Sequence, residues 1–169
     1  MERTGVITFK GNPMTLLGPD IAVGSAAPDF TAANTALQPV QLSGFKGQVV
    51  ILSAVPSLDT PVCEMQTKRF NEEASKLNAK VLTISLDLPF AQKRFCGSFN
   101  IDNVITLSDY KDRSFAQAYG LLIKELGLIT RAVFVVDKNG RIVHKEIVKE
   151  VTEHPDYDKA LAAAKTAGA

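Results

Sequence analysis

Apolar and polar positions alternate along the chain with two periods, and the switches between them mark the elements. Val6-Ile7-Thr8-Phe9 and Met14 to Leu17 are extended runs separated by Gly11-Asn12-Pro13 and closed by Gly18-Pro19, which predicts an N-terminal β-hairpin over residues 1–18. Residues 24–47 carry Gly24, Pro28, Pro39, Gly44 and Gly47, so extended lead-ins, turns and one short strand near Val40 to Leu42 fit there, and no long helix does. From Gln48 onward the pattern is regular. Val49 to Val55 reads as a strand, Pro61 to Leu77 as a helix and Lys80 to Asp87 as the next strand, a βαβ unit. A short helix from Pro89 to Phe99, a strand from Asn103 to Leu107 and a helical stretch from Arg113 to Tyr119 follow. Ala132 to Val136 and Arg141 to Val148 flank the turn Asp137-Lys138-Asn139-Gly140 and predict a second hairpin, before an alanine-rich helix from Tyr157 to Thr166. The resulting fold class is α/β, a central mixed sheet covered by helices on both faces, with an N-terminal β-hairpin added.

Composition narrows the possible partners. The 169 residues suit one domain spanning 1–169. Nineteen Lys and Arg against eighteen Asp and Glu leave no basic stripe for phosphates, so a nucleic-acid partner is not expected. The apolar runs fall far short of the roughly 20 residues that span a bilayer, and the N-terminus lacks a basic stretch followed by an unbroken apolar one. The expectation is a cytoplasmic protein with no membrane partner. Its two cysteines are too few for a disulfide scaffold. Zinc would need Cys63, Cys96, His144 and His154, no two of which have the close spacing of half a tetrahedral site. No cofactor is expected, and the cysteines, if they matter, matter as chemistry.

Cys63 has the more suggestive setting. Thr60 is a favoured N-cap and Pro61 a favoured first helical residue, so Cys63 falls near the third helical position. There, unpaired backbone N–H groups and the positive end of the helix dipole favour thiolate over thiol. Cys63, Phe70 and Leu77 recur every seven residues, placing the cysteine on the core-facing stripe, where an inert core cysteine would equally sit. Position alone leaves both readings open.

The segment Pro56-Ser57-Leu58-Asp59-Thr60-Pro61-Val62-Cys63 fits the PxxxTxxC signature of peroxiredoxins and closely resembles the bacterial thiol peroxidase subfamily, of the atypical 2-Cys type. The likeness extends to Arg69-Phe70-Asn71, Arg94-Phe95-Cys96-Gly97, Thr130-Arg131-Ala132-Val133-Phe134 and the N-terminal hairpin, nearly the whole chain. It implies a thioredoxin-like fold and a peroxidase in which Cys63 attacks the hydroperoxide and Cys96 resolves the product into a Cys63–Cys96 disulfide. It further implies that Thr60 exchanges hydrogen bonds with thiolate and peroxide, that Pro56 shields the sulfur and that Arg131 supplies positive charge. Thioredoxin as reductant and a homodimer are also implied. Without the likeness, Arg131 would read as a surface arginine at a strand start and Cys96 as a core residue beside Phe95 and Phe99. The rival function is a thioredoxin-fold peroxide sensor that forms the same disulfide without efficient turnover. A disulfide oxidoreductase is disfavoured because its close CxxC pair is missing.

Overall fold

The computed structural model describes residues 1–74 and 76–169. Its main sheet is built on β5 (Val49–Ala54), whose six residues are all buried, as an apolar run with no alternation requires when both faces of a sheet are covered. β6 (Ala79–Ser85) pairs parallel to β5, and β7 (Ile105–Ser108) parallel to β6. On the other flank β10 (Ala132–Val136) runs antiparallel to β5 and is itself paired with β11 (Ile142–Ile147). β3 (Thr31–Ala33) and β4 (Pro39–Gln41) complete the order β11-β10-β5-β6-β7-β3-β4.

The parallel crossovers carry α1 (Pro61–Ala74) and α2 (Pro89–Phe99), which pack with α4 (Tyr157–Gly168) on one face. There Phe70, Phe95, Ala160 and Ala164 meet Val49, Ile51, Val81, Val133 and Val135. The opposite face holds α3 (Ser114–Ala118), with Phe115 and Tyr119 against Leu52, Leu82, Leu107 and Phe134. The expected mixed sheet with helices on both faces is therefore present.

Four local expectations are corrected. The first hairpin, β1 (Glu2–Phe9) and β2 (Asn12–Leu17), turns at Lys10-Gly11, because both residues take the left-handed φ (50° and 80°) that a two-residue turn needs. Pro13 is instead a strand residue opposite Thr8, outside the stretch of β2 that pairs on its other side. Two short strands that the sequence pattern does not announce, β8 (Leu122–Ile123) and β9 (Leu128–Ile129), extend the hairpin to a four-stranded sheet. β3 falls in the region expected to hold only one strand, near Val40, and that strand is followed by a 3₁₀ turn at Leu42–Phe45. The helix expected to reach Leu77 is helical to Ala74, with Lys76 in a turn; Ser75, inside that expected span, lies outside the described residues. Among the described residues, no helix is long and apolar enough to cross a membrane.

Candidate active site

The site forms where β5 ends and α1 begins. Pro56 is buried in the bend after β5, and the loop to Thr60 is fastened from below by Asp87, at the end of β6. The Asp87 carboxylate accepts hydrogen bonds from Ser57 Oγ at 2.7 Å, Leu58 N–H at 2.8 Å and Ser85 Oγ at 2.7 Å. Ser108 Oγ, on β7, donates to its carbonyl at 2.5 Å. One acidic residue thus ties two parallel strands, β6 and β7, to the loop before α1.

Thr60 caps α1 as its sequence suggests. Its hydroxyl accepts the Cys63 N–H at 3.4 Å and donates to the Ser57 carbonyl at 3.2 Å. Cys63 is fully buried, whereas Asp59 and Pro61, on either side of Thr60, are exposed. The sulfur therefore lies one side-chain layer beneath the surface.

Arg131 is not a surface arginine. It is 2% exposed, and its guanidinium is committed in three directions. Nη2 donates to Cys63 Sγ at 3.1 Å, Nη1 to Gln66 Oε1 at 2.9 Å, and Nε to the Val151 carbonyl at 2.8 Å. Gln66 is in turn fixed by donating from Nε2 to Ser53 Oγ on β5, at 2.7 Å. A buried, permanently charged fork held on three sides is a preorganised stabiliser for an anion on the sulfur. Tyr157, from α4, stacks edge-on against Phe70, and burial pushes its phenol up to about 12.

Cys96 sits elsewhere on the same helical face. Half-buried late in α2, its sulfur is 3.7 Å from Thr106 Oγ1, on β7. Burial raises the thiol above its ordinary range, only partly offset by Thr106, so Cys96 rests as a neutral thiol. Both cysteines are free. The Cys63 sulfur is tied through Arg131 and Gln66 to β5 and the Cys96 sulfur contacts β7, strands that lie two spacings, roughly 10 Å, apart. Thr60, Cys63 and Arg131 are thus brought together and Cys96 is held apart.

Gln66 and Asp87 escaped the sequence reading. Each left a faint signal: Gln66 is a polar residue one turn after Cys63 on the buried side of α1, and Asp87 is an acid ending an apolar strand. Neither says which partner awaits it.

Comparison with known proteins places the chain among its relatives. Residues 22–161 match the Redoxin family model. The chain is 55% identical over 160 residues to a thiol peroxidase from Bacillus subtilis, covering 94% of this chain and 96% of that protein. It is also 55% identical to a thiol peroxidase from Staphylococcus aureus, over 94% of this chain and 97% of the relative. Among solved structures, a peroxiredoxin-like protein from Aquifex aeolicus superposes with a TM-score of 0.91 at 44% identity, covering 98% of this chain and 97% of the other.

Proposed function

The chain belongs to the redoxin family, among the bacterial thiol peroxidases, and from that premise we propose how its residues carry out peroxide reduction. The protein is a peroxiredoxin-type peroxidase, with a hydroperoxide as substrate and a thioredoxin-type dithiol as reductant. The observation that carries the residue assignment is the 3.1 Å contact between Arg131 Nη2 and the buried Cys63 sulfur.

The Cys63 thiolate attacks the terminal oxygen of the hydroperoxide. As the S–O bond forms, the O–O bond breaks, sulfur loses two electrons, and the alkoxide or hydroxide leaves and is protonated to alcohol or water. Negative charge moves from sulfur to the departing oxygen, so donors fixed along that line gain strength in the transition state. Arg131 is one such donor. Thr60 is a second, once its hydroxyl turns from the Ser57 carbonyl toward the peroxide. Pro56 closes the back of the loop against water. The Cys96 thiol then attacks the Cys63 sulfenic sulfur, an S–S bond forms and water departs. Thioredoxin reduces the disulfide by thiol exchange and returns both cysteines to thiols.

The same reading takes the chain as one domain, since Ile7 and Leu16 of the hairpin share a core with Val151. It places the protein in the cytoplasm, where such a disulfide is transient. It also takes the protein as a homodimer that covers Leu88 and Phe90, which are 52% and 67% exposed beside the site loop.

Purified protein supplied with thioredoxin, thioredoxin reductase and either hydrogen peroxide or an alkyl hydroperoxide is expected to oxidise thioredoxin over many turnovers. A single stoichiometric oxidation would instead identify a sensor.

A further inference from the structure

The N-terminal hairpin contributes no side chain to the site, yet it reaches the site through one carbonyl. The acceptor for Arg131 Nε is Val151 O, and the hairpin holds Val151 by its backbone N–H and part of its side-chain packing. Its N–H donates to the Thr8 carbonyl at 2.9 Å, and its side chain, 1% exposed, packs with Ile7, Leu16 and Ile123. Just before it, Thr8 N–H donates to the Lys149 carbonyl at 2.7 Å, closing a short parallel bridge between Thr8 and Glu150.

Glu150 locks that bridge. Its carboxylate accepts from Thr8 Oγ1 at 2.9 Å, from the turn amides of Gly11 at 2.8 Å and Lys10 at 3.2 Å, and from Thr152 N–H and hydroxyl at 2.9 and 2.7 Å. One acidic side chain therefore fastens the hairpin turn to the residues on both sides of Val151.

We propose that Glu150 is a positioning residue for the peroxide reaction: with Thr8 it clamps the Val151 carbonyl that orients the Arg131 guanidinium toward the Cys63 sulfur. The proposal rests on the role assigned to Arg131 above. A long side chain keeps its planar fork aimed only while its donors are held, and Nε is the donor nearest the backbone. Releasing the carbonyl lets the fork swing, and a displacement of about 1 Å at a reacting centre can cost as much as ~100-fold in rate. The hairpin is in this sense part of the catalytic frame.

The test measures the rate of Cys63 oxidation by hydrogen peroxide in the full chain. Glu150→Ala is expected to slow it about tenfold or more while leaving the later disulfide-forming step unchanged. Glu150→Gln, which keeps one acceptor oxygen, should recover part of the loss. Arg131→Met should slow oxidation by itself, and adding Glu150→Ala to it should bring no further loss, because a residue acting through another is silent once that other is gone. Glu125→Ala is the control, since Glu125 accepts the Thr15 N–H at 2.8 Å on the other strand of the hairpin, makes no bond to the residues around Val151 in the network above, and should leave the rate unchanged. A normal rate in Glu150→Ala, its full effect persisting in the Arg131→Met background, or an equal loss in Glu125→Ala would each overturn the proposal. A normal rate in Arg131→Met would overturn the assigned role of Arg131 instead. Should Glu150→Ala fail to fold, Thr8→Val, which removes one donor to the same carboxylate, takes its place in the same comparisons.

Discussion

At the residue scale, Arg131 and Cys63 depend on one another. A fully buried cysteine on the core side of a helix is ordinarily inert, and a fully buried arginine is costly unless its charge and donors are matched. Here each answers the other, with Gln66 and Val151 taking the remaining donors. The two cysteines divide the labour by environment: Cys63 faces a fixed cation, whereas Cys96 faces only a hydroxyl and burial holds it neutral. Cys63→Ser should therefore abolish peroxide consumption. Cys96→Ser should allow one round and then accumulate Cys63 sulfenic acid, which a sulfenic-acid trap and mass spectrometry would detect. Thioredoxin-coupled turnover persisting in Cys63→Ser would remove Cys63 from the nucleophile role.

At the element scale, the proposed disulfide needs Cα atoms about 4.4–6.8 Å apart, whereas the two thiols are tied to strands that lie two spacings, roughly 10 Å, apart. Cys63 lies in the first turn of α1 and Cys96 seven residues into α2, a further offset of about 10 Å along that helix. Closing that disulfide is therefore expected to unwind one of the two helices. α2 is the weaker one: it has eleven residues, its N-cap Leu88 offers no side-chain hydrogen bond, and it ends at Asn100 in the left-handed conformation. It is tied to α1 by the Lys68 ammonium over the Phe99 ring, 4.1 Å from the centroid, and the segment that follows it by Asn71 Oδ1 accepting the Asn103 N–H at 2.7 Å. The oxidised protein should therefore lose hydrogen-exchange protection over residues 90–100 and 60–66 relative to the reduced one, and equal protection in both forms would mean that the disulfide closes without unwinding. The pH dependence has a definite sign. The folded state holds Cys96 protonated beyond the ordinary thiol range, so above that range the unfolded chain binds fewer protons than the folded one. The contribution is fully present at neutral pH, and the stability of the reduced protein should decline as pH rises through the alkaline range, a decline that Cys96→Ser should reduce. Denaturant melts of both proteins at neutral and alkaline pH would check this.

At the scale of the whole molecule, the chain after β2 and the chain between α3 and β8 pack closely at Gly18 and Gly120: a Cβ added at Gly18 would stand 2.8 Å from Gly120 Cα. Gly120 has φ +63°, and a Cβ added there would stand 2.0 Å from the Pro19 carbonyl oxygen, a backbone atom with no freedom to yield. Its own carbonyl accepts both Arg3 Nη atoms, at 3.2 and 3.1 Å. Gly120→Ala should cost more than the roughly 1–2 kcal/mol of a left-handed L-residue, because the clash adds to it. A thermal melt would show a lowered midpoint. Because the same hairpin braces Val151, peroxide oxidation of Cys63 should slow as well, beyond what the fraction unfolded explains.

The residues by themselves determined the succession of strands and helices from Gln48 onward apart from the two short strands β8 and β9, because each of the other elements announces its period and its ends are marked by Pro, Gly or a capping threonine. They also determined the cap at Thr60 and the place of Cys63 in the first turn of α1, since both are local. The tertiary structure alone decided that Lys10 and Gly11 make the hairpin turn, that β8 and β9 join that hairpin, and that Arg131 is buried against Cys63. It alone brought Gln66, Asp87, Glu150 and Val151 into the frame of the site. These are contacts across long separations in the chain, such as Thr8 with Glu150 and Gln66 with Arg131. A polar side chain carries no periodic signature of a distant partner, and only the packed fold, in which each buried donor must find its acceptor, selects one.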